Sequence, residues 1–197
     1  MKNRRNVSNK TVAILLALVL AIGCAVGGTL AWLISKTNPV VNTFTYGDIN
    51  IGLEETTEGP YTITPGKAIT KDPKVTVKAN SEACWLFVKV KEENWPTLAD
   101  ANGTKKVSYS IADGWTALKN QTDVYYREVA ANDKAQEFPV LKDNTVTVRD
   151  TLTKDEVDQL KEKTPTLTFK AYAVQKDGIK DADAAWKQIT DATTTKP

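Results

Sequence analysis

Two cysteines and 24 carboxylates are the side chains that could do chemistry in this chain, and there is no histidine to assist them. That absence removes the usual general base, the Ser-His and Cys-His nucleophile pairs and the imidazole zinc sites together. Nothing in the spacing of the carboxylates brings two of them into an acid/base arrangement. Asp100-Ala-Asn102-Gly103 starts like a calcium loop but lacks the later ligands, so a plain turn is expected. No glycine-rich phosphate loop follows any strand pattern. Cys84 lies in CWLFVKVK on the face it shares with Leu86, Val88 and Val90, which predicts an inert core thiol. No catalytic residue, metal site or cofactor is expected.

The chemistry that the sequence favours is done to the chain rather than by it. MKNRRNVSNK is basic, and the run from Thr11 to Ser35 carries no charge. Lys2, Arg4, Arg5 and Lys10 keep this end cytoplasmic, and an apolar stretch of this length can cross ~30 Å of hydrocarbon. TVAILLALVLAI, residues 11–22, is rich in helix formers, whereas Gly23, Gly27 and Gly28 weaken a helix beyond it. Thr29-Leu30-Ala31 then places small residues at −3 and −1 of a cut before Trp32, as a signal-peptidase site requires. The expected organisation is a signal peptide over 1–31 (a hydrophobic helix over about 11–34 if uncleaved) and an extension or donor strand over 32–43. A sandwich domain over 44–190 and a flexible tail over 191–197 complete it. Two other export readings are weaker. Ala21-Ile22-Gly23-Cys24 is a lipobox-like stretch with Ala21 where Leu is preferred, and Arg4-Arg5 lacks the apolar residues that should follow a twin-arginine signal.

Loss of those four basic residues turns the net charge from +2 to −2. The basicity therefore belongs to the targeting segment, which removes any case for nucleic-acid binding by bulk charge and confines membrane contact to the N-terminal segment. Only Cys84 survives the cut, so no internal disulfide can form. Residues 32–197 suffice for one domain with a core.

From Val40 onward apolar residues recur with period two, as in half-buried strands. Gly47-Asp48 slips the register as a bulge could. Pro65-Gly66, Asp113-Gly114 and Asp177-Gly178 supply turns. Thr153 and Glu156 form a capping box for a short helix with Val157 and Leu160 on one side. Asp181 can cap a last helix whose Ala182, Ala185, Trp186 and Ile189 face inward. Many short strands with two small helices indicate an all-β fold, a jelly-roll or Ig-like β-sandwich. Trp85 and Phe87 share the second face of their strand. They lie beneath a helix or loop, or else form an exposed patch for a partner, with Trp95 and Trp115 as further candidate contacts.

VGGTLAW, NTFTYGDINIGLEE and ITPGKAITKDPKVTVKANSEACWLFVKV together resemble the exported proteins of Gram-positive bacteria grouped with TasA and camelysin. TLTFKAYAVQKDGIKDADAAW is similar to the closing part of such proteins, so the resemblance covers most of the chain. It implies a jelly-roll-like domain, secreted or held at the surface, and a dedicated signal peptidase of the SipW type cutting between Ala31 and Trp32. It further implies self-association, or assembly with a related matrix protein, into biofilm fibres. The freed segment, with Trp32, Leu33, Ile34, Val40 and Val41, would be donated as a strand to the next subunit. Without a histidine or an HExxH motif, the protease activity attached to camelysin does not transfer. The alternative expectation is a monomeric adhesin or binding module of the cell envelope, tethered by an uncleaved helix. A further possibility is that residues 32–41 fold back on their own domain.

Overall fold

The computed structural model describes residues 33–34, 44–46, 49–57, 61–163 and 165–194, all within the unit Trp32–Pro197. In chain order the strands are β1 (Leu33–Ile34), β2 (Phe44–Tyr46), β3 (Ile51–Glu54), β4 (Tyr61–Thr62), β5 (Ile69–Thr70), β6 (Lys74–Val77) and β7 (Cys84–Glu93). They continue with β8 (Val107–Ile111), β9 (Thr116–Ala117), β10 (Val124–Val129), β11 (Gln136–Pro139), β12 (Leu141–Val148) and β13 (Thr166–Gln175). Helix α1 (Lys154–Lys163) precedes β13, and α2 (Ala182–Thr194) follows it.

β7 organises the rest. Its first five residues, CWLFV, are all buried, so both faces of the strand need cover. Antiparallel neighbours flank it: β13 pairs with it from Thr166 opposite Glu93 to Gln175 opposite Cys84, and β10 pairs on the other side. β9 and β2 complete a five-stranded sheet in the order β2-β13-β7-β10-β9. On one face of it lie two three-stranded sheets, β11-β6-β3 and β5-β12-β8. Val75, Val77, Val107, Leu141, Val146 and Val148 from these meet Cys84, Leu86, Val88, Val90, Phe169 and Ala171 in one buried cluster. The body is therefore an all-β sandwich with two helices.

Both helices start where the sequence places them. Glu156 N–H donates to Thr153 Oγ1 at 3.3 Å, and Thr153 N–H donates to Glu156 Oε2 at 2.8 Å, a reciprocal box. Lys106, itself buried, reaches the same carboxylate at 2.9 Å and the Thr151 carbonyl at 3.0 Å, so the first turn of α1 is tied to the foot of β8. Ala184 N–H donates to Asp181 Oδ1 at 2.9 Å and opens α2. α2 runs to Thr194, which corrects the expected flexible tail over 191–194; no glycine or proline interrupts DATTT, so the helix has no reason to stop at 190. Residues 195–197 lie outside the described residues, as do the Gly47-Asp48 bulge and the N-terminal hydrophobic helix. Among the described residues no helix is long and apolar enough to cross a membrane.

α2 lies on the second face of the five-stranded sheet. Its Ala182, Ala185, Trp186 and Ile189 are buried against Trp85, Phe87, Tyr172 and Val174. The Trp186 ring centroid sits 5.2 Å from Phe87 and 5.3 Å from Tyr172, edge-on to the latter. A side chain in this position should contribute as a core aromatic. Trp186→Ala is expected to cost about 3–5 kcal/mol, read in urea as a lower midpoint at unchanged slope.

Candidate functional site

Trp85 is 6 % exposed and Phe87 0 %. They do not form a partner patch: the apolar face of α2 covers both, because a helix with alanines and Trp186 on one side can bury only against such a surface. Trp95 is half-buried, edge-on to Tyr109 at 5.6 Å, and Trp115 spends its indole N–H on the Pro139 carbonyl at 2.8 Å. Both are parts of the body.

Cys84 is fully buried, and burial pushes its thiol up to about 11, which keeps it protonated and inert at neutral pH. Asp100 Oδ1 accepts from Asn102 N–H at 2.9 Å and Thr104 N–H at 3.0 Å, and Gly103 N–H donates to the Asp100 carbonyl. These bonds make a plain turn. Among the described residues no group of carboxylates and thiols could hold a metal ion.

The remaining feature with functional geometry is the place where the N-terminal segment meets the body. Of the expected donor residues, Leu33 and Ile34 are described. They form β1, which pairs antiparallel with β4 of the same chain, Leu33 opposite Thr62 and Ile34 opposite Tyr61. Trp32, Val40 and Val41 lie outside the described residues, as do Thr29, Leu30 and Ala31 of the expected cleavage site. β2 then runs parallel to β13, Phe44 opposite Tyr172 and Tyr46 opposite Val174. The pairing of β1 follows the fold-back possibility, within one chain.

β4 has two residues and needs an anchor, which polar side chains provide. Tyr61 donates its hydroxyl to Glu55 at 2.5 Å. Lys71 Nζ reaches both oxygens of Glu55, at 2.8 and 3.0 Å, with both side chains 11 % exposed. The same ammonium lies over the Tyr61 ring at 4.9 Å and the Phe169 ring at 5.4 Å, which links β4 to the core under β13. Burial, then the hydrogen bond to Glu55, pushes the Tyr61 hydroxyl well above its ordinary value. A pair this withdrawn from water holds its register only while both partners remain, since removing one strands a buried charge. Beside it, Asp72 ties down the loop before β4. One of its oxygens accepts from the Thr56 and Thr57 backbone N–H groups at 3.1 and 3.0 Å, and both threonine hydroxyls donate to the carboxylate.

None of this anchor was read from the sequence. Glu55 and Thr57 fall in what reads as a polar loop, and Lys71 follows sixteen residues later, past a turn. The one available signal was composition, a lysine and acids around a two-residue β pattern, and it does not specify pairing.

Comparison with protein-family models, curated proteins and solved structures finds no match. The geometry alone therefore defines the class: an all-β body with an N-terminal strand docked on a side-chain-anchored acceptor.

Asp72 gives this acceptor a pH dependence. Burial raises the carboxyl, but the hydrogen bonds from Thr56 and Thr57 outweigh it and hold Asp72 down at about 2. A depressed carboxylate adds stability that is present above its ordinary value, near 3.8, and is lost as pH falls to about 2. Melting temperatures of the protein should fall across that window, and Asp72→Asn should lower stability at pH 7 while flattening the acid limb. An identical acid limb in the variant would refute the role.

Proposed function

We propose that the chain is the precursor of an exported, non-catalytic structural subunit of TasA-like type, built on a jelly-roll version of the sandwich. A SipW-type signal peptidase cuts between Ala31 and Trp32. The freed segment then exchanges with a second copy, so that contacts made within one chain are made between chains, and matrix or surface fibres grow.

One observation carries this reading. β7 pairs with all ten residues of β13, but on the opposite edge β2 covers only Tyr172, Ala173 and Val174. Among the described residues no strand pairs with the rest of that edge, from Thr166 to Ala171. An edge that is paired over only part of its length among the described residues is one that an incoming strand can extend, and β2 already adds there.

The energies agree in direction. Burying an aliphatic side chain such as Leu33 or Ile34 gains roughly 1.5–3 kcal/mol, against roughly 1–2 kcal/mol per residue for ordering backbone. A two-residue ladder in cis is thus close to balance, and a longer pairing in trans competes with it. An exchange of this kind is head-to-tail, and a heterologous contact that does not close propagates as a fibre. The reading as a monomeric adhesin loses two of its candidate contacts, because Trp85 and Phe87 lie under α2.

Electron microscopy of purified 32–197 beside 42–197 tests the proposal. Fibres are expected from the longer form only. Fibres from both in equal amount, or from neither, would end the donor account.

A further inference from the structure

The end of β7 and the start of β10, from the large sheet, face β8 of a small one across an open cleft of about 330 Å³. Val90, Glu92, Tyr109, Thr122, Asp123 and Tyr125 line it. Val90 belongs to the main core, Glu92 and Thr122 are exposed, and Tyr109, Asp123 and Tyr125 are half-buried. The cleft thus runs from water down to the core. Glu92 Oε1 accepts the Tyr109 hydroxyl at 2.6 Å, and Asp123 Oδ2 stands 3.2 Å from Lys89 Nζ. Trp95 meets the Tyr109 ring edge-on at 5.6 Å and helps to hold it. The Tyr125 hydroxyl has no hydrogen-bond partner among the described residues, and it is not sealed from water. Burial, then Glu92 and Asp123, pushes that hydroxyl above its ordinary value, and burial with the Glu92 bond does the same to Tyr109. Both phenols therefore stay protonated at neutral pH.

A carboxylate can accept about four hydrogen bonds, so a single phenol or ammonium leaves Glu92 and Asp123 with acceptors to spare. Thr122 and Tyr125 add hydroxyls that donate and accept. Beside these polar groups the two phenol rings supply flat apolar faces. Small-molecule clefts combine aromatic walls with a few convergent polar groups in this way, from ~300 Å³ upward. The combination suits a neutral ring that is apolar on one face and carries hydroxyl groups around its rim, as a pyranose does. A cation suits it less, because Lys89 already stands at Asp123 and Lys91 also lines the cleft, 2.6 Å from Glu93. An anion would meet Glu92 and Asp123.

We infer that the cleft between Tyr109 and Tyr125, with Glu92, Asp123 and Thr122, is a binding site for a pyranose sugar. The sugar is free in solution or is one unit of a polysaccharide. The shared chemistry is a ring whose C–H face lies on a phenol while neighbouring hydroxyls donate to the carboxylates. None of these residues belongs to β1, β2 or β4, so failure of this site would leave the fibre proposal untouched, and the reverse holds too.

The full-length chain, held in a polyoxyethylene detergent that carries neither sugar nor amine, can be titrated and followed through the backbone amide resonances of Thr122, Asp123 and Tyr125. One arm uses glucose, galactose, mannose and N-acetylglucosamine; a second uses dextran, galactan and mannan; sorbitol and tetramethylammonium chloride are the controls. Saturable movement of those resonances with a monosaccharide assigns a free sugar, and movement with a polysaccharide alone assigns the polymer. By calorimetry, Glu92→Gln should weaken the interaction by about tenfold, the loss of a charge-assisted contact, and Tyr125→Phe by about fivefold, the loss of a neutral one. Both changes are conservative: the glutamine keeps an acceptor for Tyr109, and the phenylalanine keeps the ring. Resonances that stay still with every sugar, an equal response to sorbitol or tetramethylammonium, or an affinity unchanged in either variant would overturn the inference.

Discussion

Strand β7 sets the terms for everything around it. CWLFV has apolar side chains on both faces and sits between β13 and β10, so neither face nor edge can meet water. One face demands the two small sheets and the other demands α2. Most of the molecule is the minimum cover that such a strand requires, and it holds both buried clusters in place. Covering costs surface: Trp85 and Phe87, which the sequence could offer to a partner, are consumed by the fold's own helix.

What remains for function among the described residues is therefore at the periphery. Among the described residues the outer edge of β13 is paired for three residues by β2, and β1 is held by a two-residue strand whose position depends on Glu55, Lys71 and Tyr61. These are weakly paired backbone contacts beside a strongly packed body. Such a division suits a subunit that must stay folded while one end changes partners, because local opening at the end need not disturb the core.

The parts of this fold written as periodicity were legible. The two faces of β7, the inward side of α2, the Thr153–Glu156 box and the Asp181 cap each follow from spacing within one element, and the structure contains them as read. Contacts between distant elements were not. Alternation told that Trp85 and Phe87 share a face, but not whether α2, about a hundred residues later, would cover it. The Glu55–Lys71–Tyr61 anchor joins residues from separate loops and strands, and charge alone carries no address. α2 continues to Thr194, past the expected boundary at 190, because one more turn of an already formed helix adds a bond per residue fixed.

The central claim is that the N-terminal strand can satisfy in a neighbour the contact it makes at home. Leu33 faces Thr62 in the β1–β4 pair. Two versions of 32–197, one carrying only Leu33→Cys and the other only Thr62→Cys, can be mixed and oxidised, with the buried Cys84 shielded. Disulfide-linked dimers joining the two versions in assembled material are the predicted result. Assemblies with no link between chains, under conditions where a doubly substituted chain closes the bridge within itself, would contradict it.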